Sequence, residues 1–219
     1  MKILITGMSS GIGYELSKRL GEHELYCTTT SREKQLRLQK EFPNAKLFQC
    51  DVSDKAQVDD MFDQIKSLDV LVNNAGVKAS GKIEDIRPCE FQRVMDVNLM
   101  GPYYMMQRAI PILNKGGKII NIASTIGTRS GAFLSPYSAS KHALVGLSHS
   151  VRDELIAQEK EIYVSTVYPG ATDTPFNDGR SGMLEVREIV DGIEYVMNRD
   201  KACVDLFVYP KMEKRKPWY

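Results

Sequence analysis

The sequence predicts an α/β fold of the doubly wound kind: a mostly parallel seven-stranded sheet with helices on both faces. Short apolar, β-branched runs recur near residues 2–6, 24–29, 45–50, 69–73, 117–123, 161–168 and 203–208, and helical patterns fill the gaps. Apolar strands alternating with helices imply a parallel sheet buried on both sides, and right-handed crossovers then wind it in both directions. A glycine-rich turn directly after the first run is the third observation, because such a turn opens the first helix of this architecture.

The elements follow in order. Lys2-Ile3-Leu4-Ile5 leads into Thr6-Gly7-Met8-Ser9-Ser10-Gly11-Ile12-Gly13 and then an amphipathic helix through Leu20. Glycines let a backbone approach a pyrophosphate, and the amides and dipole of the following helix attract its charge. The spacing is G-x-x-x-G-x-G rather than G-x-G-x-x-G, and a turn that only packs helix on strand is the other reading. The second strand carries Cys27 and ends in Thr28-Thr29-Thr30-Ser31-Arg32; the third ends at Cys50 and is followed by Asp51-Val52. The fourth runs into Asn73-Asn74-Ala75-Gly76, Asn98 lies within Asp96-Val97-Asn98-Leu99, and the fifth delivers Ser124. The sixth ends at Pro169-Gly170, followed by Thr172 and Thr174. Ligands of such sheets bind beyond the carboxy ends of the strands, so these segments converge on one edge.

Tyr137 and Lys141 supply the chemistry. Four residues apart, they share one face of a helix, 13 residues after Ser124 in the case of the tyrosine. A phenol titrates near pH ~10, so proton exchange near neutrality requires its anion to be favoured by roughly 4 kcal/mol. A neighbouring ammonium supplies much of that, and a serine hydroxyl polarises a carbonyl. His142 is expected to face away, since adjacent helix positions point about 100° apart.

One compact domain spanning 1–219 is expected from 219 residues, 42% of them hydrophobic, enough for a sizeable core. The 29 basic and 28 acidic residues leave a formal charge of +1, which argues against a nucleic-acid or anionic-membrane partner. The basic stretch Lys211 to Lys216, before Trp218 and Tyr219, reads as a solvated extension. Cys27, Cys50, Cys89 and Cys203 form no C-x-x-C pair, no metal-ligand spacing is present, and no signal peptide or long apolar span precedes the first strand. A cytoplasmic protein without a metal is expected, with Cys27 and Cys50 as core residues.

The ordered set of TGxxxGxG turn, NNAG segment, Asn98/Ser124/Tyr137/Lys141 and PG-x-x-x-T resembles the short-chain dehydrogenase/reductase family over nearly the whole chain. The resemblance implies a Rossmann-like fold and a hydride-transferring enzyme that interconverts a carbonyl and an alcohol. It implies that Gly7, Gly11, Ile12 and Gly13 hold the pyrophosphate, with Ser9 and Ser10 of the same turn also binding the cofactor, that Asp51 and Val52 frame the adenine, and that Asn74, Ala75 and Gly76 lie beneath the adenosine ribose. Tyr137 is then the general acid/base, Lys141 lowers its pKa and binds the nicotinamide ribose, and Ser124 orients the carbonyl. Thr174 binds the carboxamide, with Pro169, Gly170 and Thr172 shaping that wall. For Asn98 two readings stand: a water relay from Lys141 to solvent, or an amide capping a break in a long helix.

At the end of the second strand, Ser31 and Arg32 offer donors suited to a 2′-phosphate. NADP(H) is therefore the expected cofactor, with NAD(H) as the alternative if Glu33, 20 residues after Gly13, is the acid that binds the ribose. The substrate segments are Val77 to Arg87, Thr125 to Pro136 and Phe176 to Leu184, with Phe133, Leu134 and Phe176 as apolar lining and Arg129 or Arg180 for an anionic group. Asn177 to Met183 offers little apolar surface and is expected to form an open cap. Family resemblance implies a homodimer or homotetramer through the helix leading to Leu113 and the one starting near Tyr137, the latter carrying a stripe of Leu144, Leu147, Val151 and Leu155. A cofactor-binding sensor or scaffold without turnover, and a related isomerase or dehydratase, are the competing functions.

Overall fold

The computed structural model describes residues 1–177 and 183–210. Most of the proposed cap with Arg180, and the basic tail with Trp218 and Tyr219, lie outside the described residues.

All seven expected strands form: β1 (Lys2–Ile5), β2 (Glu24–Thr29), β3 (Lys46–Gln49), β4 (Leu68–Asn73), β5 (Leu113–Ile122), β6 (Ile162–Pro169) and β7 (Asp205–Val208). They lie in the order β3-β2-β1-β4-β5-β6-β7, every pairing parallel. Reversal of strand order between β1 and β4 opens the crevice where ligands of such sheets bind. β5 begins at Leu113, four residues before the apolar run; Gly116 adopts φ +82° and the register against β4 shifts between Leu68 and Val70. A polar, irregular start of this kind carries no apolar signature to read.

The helices are α1 (Gly11–Arg19), α2 (Arg32–Glu41), α3 (Lys55–Phe62), α4 (Pro88–Met95), α5 (Gly101–Ala109), α6 (Ser135–Ala157) and α7 (Val186–Asn198). Strand side chains alternate between two cores. Ile3, Ile5, Val70, Val72, Ile120 and Ile122 pack with Leu16, Leu38, Ile189 and Ile193 on one face, and Leu4, Leu71 and Ile119 with Val58, Met105 and Leu155 on the other. Thus α1, α2 and α7 cover one side and α3, α5 and α6 the other. Leu144 and Leu155 are buried, and the partly buried Leu147 and Val151 pack against the second core, so the α6 stripe covers the sheet.

Cys27 and Cys50 are buried as expected. α4 and α5 are joined by a π-helical turn, Asp96–Met100, that centres on Asn98. No helix among the described residues is long and apolar enough to cross a membrane.

Candidate active site

The glycine turn is held from three sides. The amides of Gly7 and Met8 donate to the hydroxyl and carbonyl of Thr28, both at 3.1 Å. Asn74 Nδ2 reaches the carbonyls of Thr6 (2.8 Å) and Gly7 (3.2 Å), and Thr6 Oγ1 accepts the amides of Asn74 and Ala75, each at 2.9 Å. Gly7 and Gly11 adopt φ +70° and +57°, conformations that L side chains resist. A Cβ at Gly13 would lie 2.5 Å from both Asn74 Nδ2 and the Gly7 carbonyl oxygen. The turn therefore packs strand and helix closely and also presents the unpaired first amides of α1, while the N-cap Ser10 side chain makes no capping bond. This is a cradle that a pyrophosphate fits.

Thr174 stands beside it: a Cβ on Gly11 would meet Thr174 Cγ2 at 3.2 Å. Thr172 is buried, bridged to Leu184, and donates to the Gly170 carbonyl at 3.0 Å. Ser31 caps α2, accepting the Lys34 amide at 3.3 Å, and exposed Arg32 donates to Gln35 Oε1 at 2.7 Å. β2 ends at Thr29, Ser31 is the N-cap of α2, and Arg32 and Glu33 both lie in its first turn.

Ser124 follows β5, where its hydroxyl accepts the Ile126 amide at 3.2 Å, donates to the Pro169 carbonyl at 3.5 Å and lies near enough to the Tyr137 phenol to favour its anion. Tyr137, in the first turn of α6, packs its ring 5.6 Å from that of Phe176. The buried Lys141 ammonium donates to the Ile122 carbonyl at 2.8 Å and lies 5.8 Å from the centre of the Tyr137 ring. Burial pushes the phenol up to about 12, against a smaller pull downward from Ser124, and pushes Lys141 down to about 8. The sequence expectation was an ammonium that lowers the phenol. It is not met in this geometry, because desolvation disfavours both charged forms and the ammonium faces a carbonyl instead of the phenolic oxygen.

Asn98 is fully buried and neither caps the helix break nor faces Lys141 directly. Its side chain exchanges bonds with both backbone groups of Val77, at 2.8 Å each, and donates to Ser140 Oγ at 3.0 Å. A Cβ on Gly76 would touch Asn98 Oδ1 at 3.3 Å and Lys141 Nζ at 3.9 Å, so the NNAG segment, the π-turn and α6 meet at one point. His142 is exposed, its Nδ1 2.8 Å from the Ser138 carbonyl oxygen, and it faces away as expected.

The substrate segments lie together: the Gly81 amide donates to the Phe133 carbonyl at 2.9 Å, and Arg129 to Thr125 Oγ1 at 3.4 Å. Phe133 is exposed with φ +63°, whereas Phe176 packs on Tyr137 beneath the Lys78 ammonium, which lies 5.3 Å from its ring centre. Each expected element of the site among the described residues thus reaches the carboxy edge of the sheet.

The family model for short chain dehydrogenase matches residues 1–184. The chain belongs to the short-chain dehydrogenase family. This dehydrogenase is 31% identical, over 90% of each chain, to an uncharacterized oxidoreductase of Staphylococcus epidermidis. It is 33% identical to an NADPH-dependent pterin aldehyde reductase of Arabidopsis thaliana, over 78% of this chain and 75% of the relative. Among solved structures, a blue fluorescent protein from a metagenomic library, in complex with NADPH, superposes with a TM-score of 0.84. The two are 30% identical, over 94% and 95% of the chains.

Within this short-chain dehydrogenase, sequence reasoning gives no role to Thr6, Thr28 or Arg93. Thr6 was readable as the first residue of the TGxxxGxG turn. Thr28 and Arg93 meet their partners Gly7 and Asp51 across 21 and 42 residues, and no local pattern signals such contacts.

Proposed function

We propose that this dehydrogenase interconverts a small or medium carbonyl compound and its alcohol, with NADP(H) as the preferred cofactor and NAD(H) as the alternative. The observation that carries the reading is the Ser124–Tyr137 hydroxyl pair, set beside buried Lys141 at the same sheet edge as a glycine cradle shaped for pyrophosphate. The nicotinamide, when bound, supplies or takes the hydride. Ser124 orients the carbonyl oxygen by donating to it, and Tyr137 passes its phenolic proton to that oxygen. With its pKa pushed up to about 12, the phenol keeps that proton at neutral pH and is poised to donate. Lys141, still mostly protonated at pH 7 with its pKa at about 8, offsets the negative charge left on the phenolic oxygen. Asn98 anchors the Val77 segment to α6 and, in this reading, holds the water that links Lys141 to solvent.

Support for NADP(H) comes from Ser31, the N-cap of α2 just after β2, and exposed Arg32, which precedes Glu33 in the first turn of that helix, and from the NADPH in the names of two similar proteins. Four free cysteines suit a reducing, cytoplasmic setting. Exposed Tyr103 on α5 and Ile156 on α6 suit a homo-oligomer through those helices. The test is a fluorescence titration with NADPH and NADH, followed by assays of ketones, aldehydes and quinones with the tighter cofactor. NADPH-driven turnover is expected; tight binding without turnover across the panel would favour a sensor.

A further inference from the structure

Asp51 is the residue that the resemblance sets at the adenine, yet its carboxylate is already engaged. Oδ1 accepts the Ser53 amide at 3.0 Å and the Ser53 hydroxyl at 2.7 Å; Oδ2 accepts from Arg93 at 2.9 Å. Arg93 also donates to Ser53 Oγ at 2.6 Å, which closes a three-residue clasp between the turn after β3 and helix α4. Burial raises the Asp51 pKa, but the bonds from Ser53 and Arg93 outweigh it and hold the carboxyl below the usual range. A carboxylate has about four acceptor positions. Three are filled, so one remains, on the oxygen that Arg93 orients.

An exposed Arg–Asp pair adds little stability by itself. Its position is what gives this one a use. In the dinucleotide reading the glycine cradle holds the pyrophosphate at the head of α1 and the end of β2 receives the adenosine ribose, and the resemblance puts the base at Asp51, just after the end of β3. An adenine offers an exocyclic amine, a donor that matches the remaining acceptor, whereas hypoxanthine offers a carbonyl there. We infer that Arg93 is a positioning residue for base recognition: it aims the free acceptor of Asp51 at the adenine amine and so makes the enzyme select adenine over hypoxanthine dinucleotides. This rests on the dinucleotide reading above.

The experiment is a fluorescence titration of the full chain with reduced NADP and with its hypoxanthine counterpart, for wild type, Arg93→Met, Arg93→Lys and Ser53→Ala. The wild type is expected to bind the adenine form about tenfold more tightly, as one charge-assisted hydrogen bond supports. In Arg93→Met the ratio falls below about threefold, Arg93→Lys restores part of it, and Ser53→Ala, which opens the clasp from its other side, also lowers it. A clasp that only braces the fold would weaken both ligands equally and leave the ratio unchanged, which overturns the assignment of Arg93; so does a wild-type ratio near one. Failure of either dinucleotide to bind the wild type would instead overturn the dinucleotide reading, and this inference with it.

Discussion

Asn98 and Val77 exchange two hydrogen bonds of 2.8 Å each, side-chain amide to backbone carbonyl and backbone amide to side-chain oxygen. A buried asparagine thereby serves as a surrogate strand partner for a segment that has left the sheet. Replacement by alanine orphans both backbone groups of Val77, so Asn98→Ala is expected to lose about 2–4 kcal/mol of unfolding free energy. Urea denaturation measures it, and a loss below about 0.5 kcal/mol would show that the pair is not needed to hold the segment.

Tyr137→Phe keeps the ring that packs on Phe176 and removes the transferable proton. Turnover is expected to fall by about 10³-fold with NADPH affinity unchanged. Steady-state kinetics beside a binding titration separates the two, and near-normal turnover would remove Tyr137 from the chemistry.

Lys141 links stability to pH. Its folded pKa of about 8 lies below the ordinary lysine value of 10.5, so between those values the unfolded chain binds more protons and the lysine's contribution to stability rises with pH. The buried ammonium therefore costs stability at pH 7, and that cost is relieved by about pH 10. Lys141→Met, which cannot titrate, should lose about 3 kcal/mol of stability relative to wild type between pH 7 and 10.5. Denaturant titrations at both pH values give the difference, and a pH-independent gap would mean that the lysine is not desolvated. Carbonyl reduction by the wild type should also decline as pH rises through about 8, when Lys141 loses its charge.

Gly13→Ala sets a methyl carbon 2.5 Å from Asn74 Nδ2 and from the Gly7 oxygen. The backbone must shift, with an expected loss of about 1–3 kcal/mol in stability and a weakened grip on dinucleotides. Thermal melts and cofactor titration read the two effects, and wild-type values in both would disprove the close approach.

Arg32→Ala should weaken NADPH about tenfold more than NADH, because only the former carries a 2′-phosphate for the guanidinium. Equal losses in parallel titrations would return the choice of cofactor to Glu33 or to the backbone at the head of α2.

Strands, helices, the glycine turn and the shared face of Tyr137 and Lys141 were legible in the sequence, because periodicity and glycine conformations are local properties of the chain. The start of β5 was not, since Leu113 is followed by Asn114-Lys115-Gly116-Gly117, a stretch without apolar alternation. The cradle, the Ser124–Tyr137 pair and the edge on which they meet followed from local pattern plus the rule for open parallel sheets. Only the tertiary structure decided that Asn98 binds Val77, that Arg93 and Ser53 occupy three acceptor positions of Asp51, and that burial moves Tyr137 up and Lys141 down. Desolvation and long-range hydrogen bonds depend on what distant segments bring to a residue, and no local pattern in the chain encodes that.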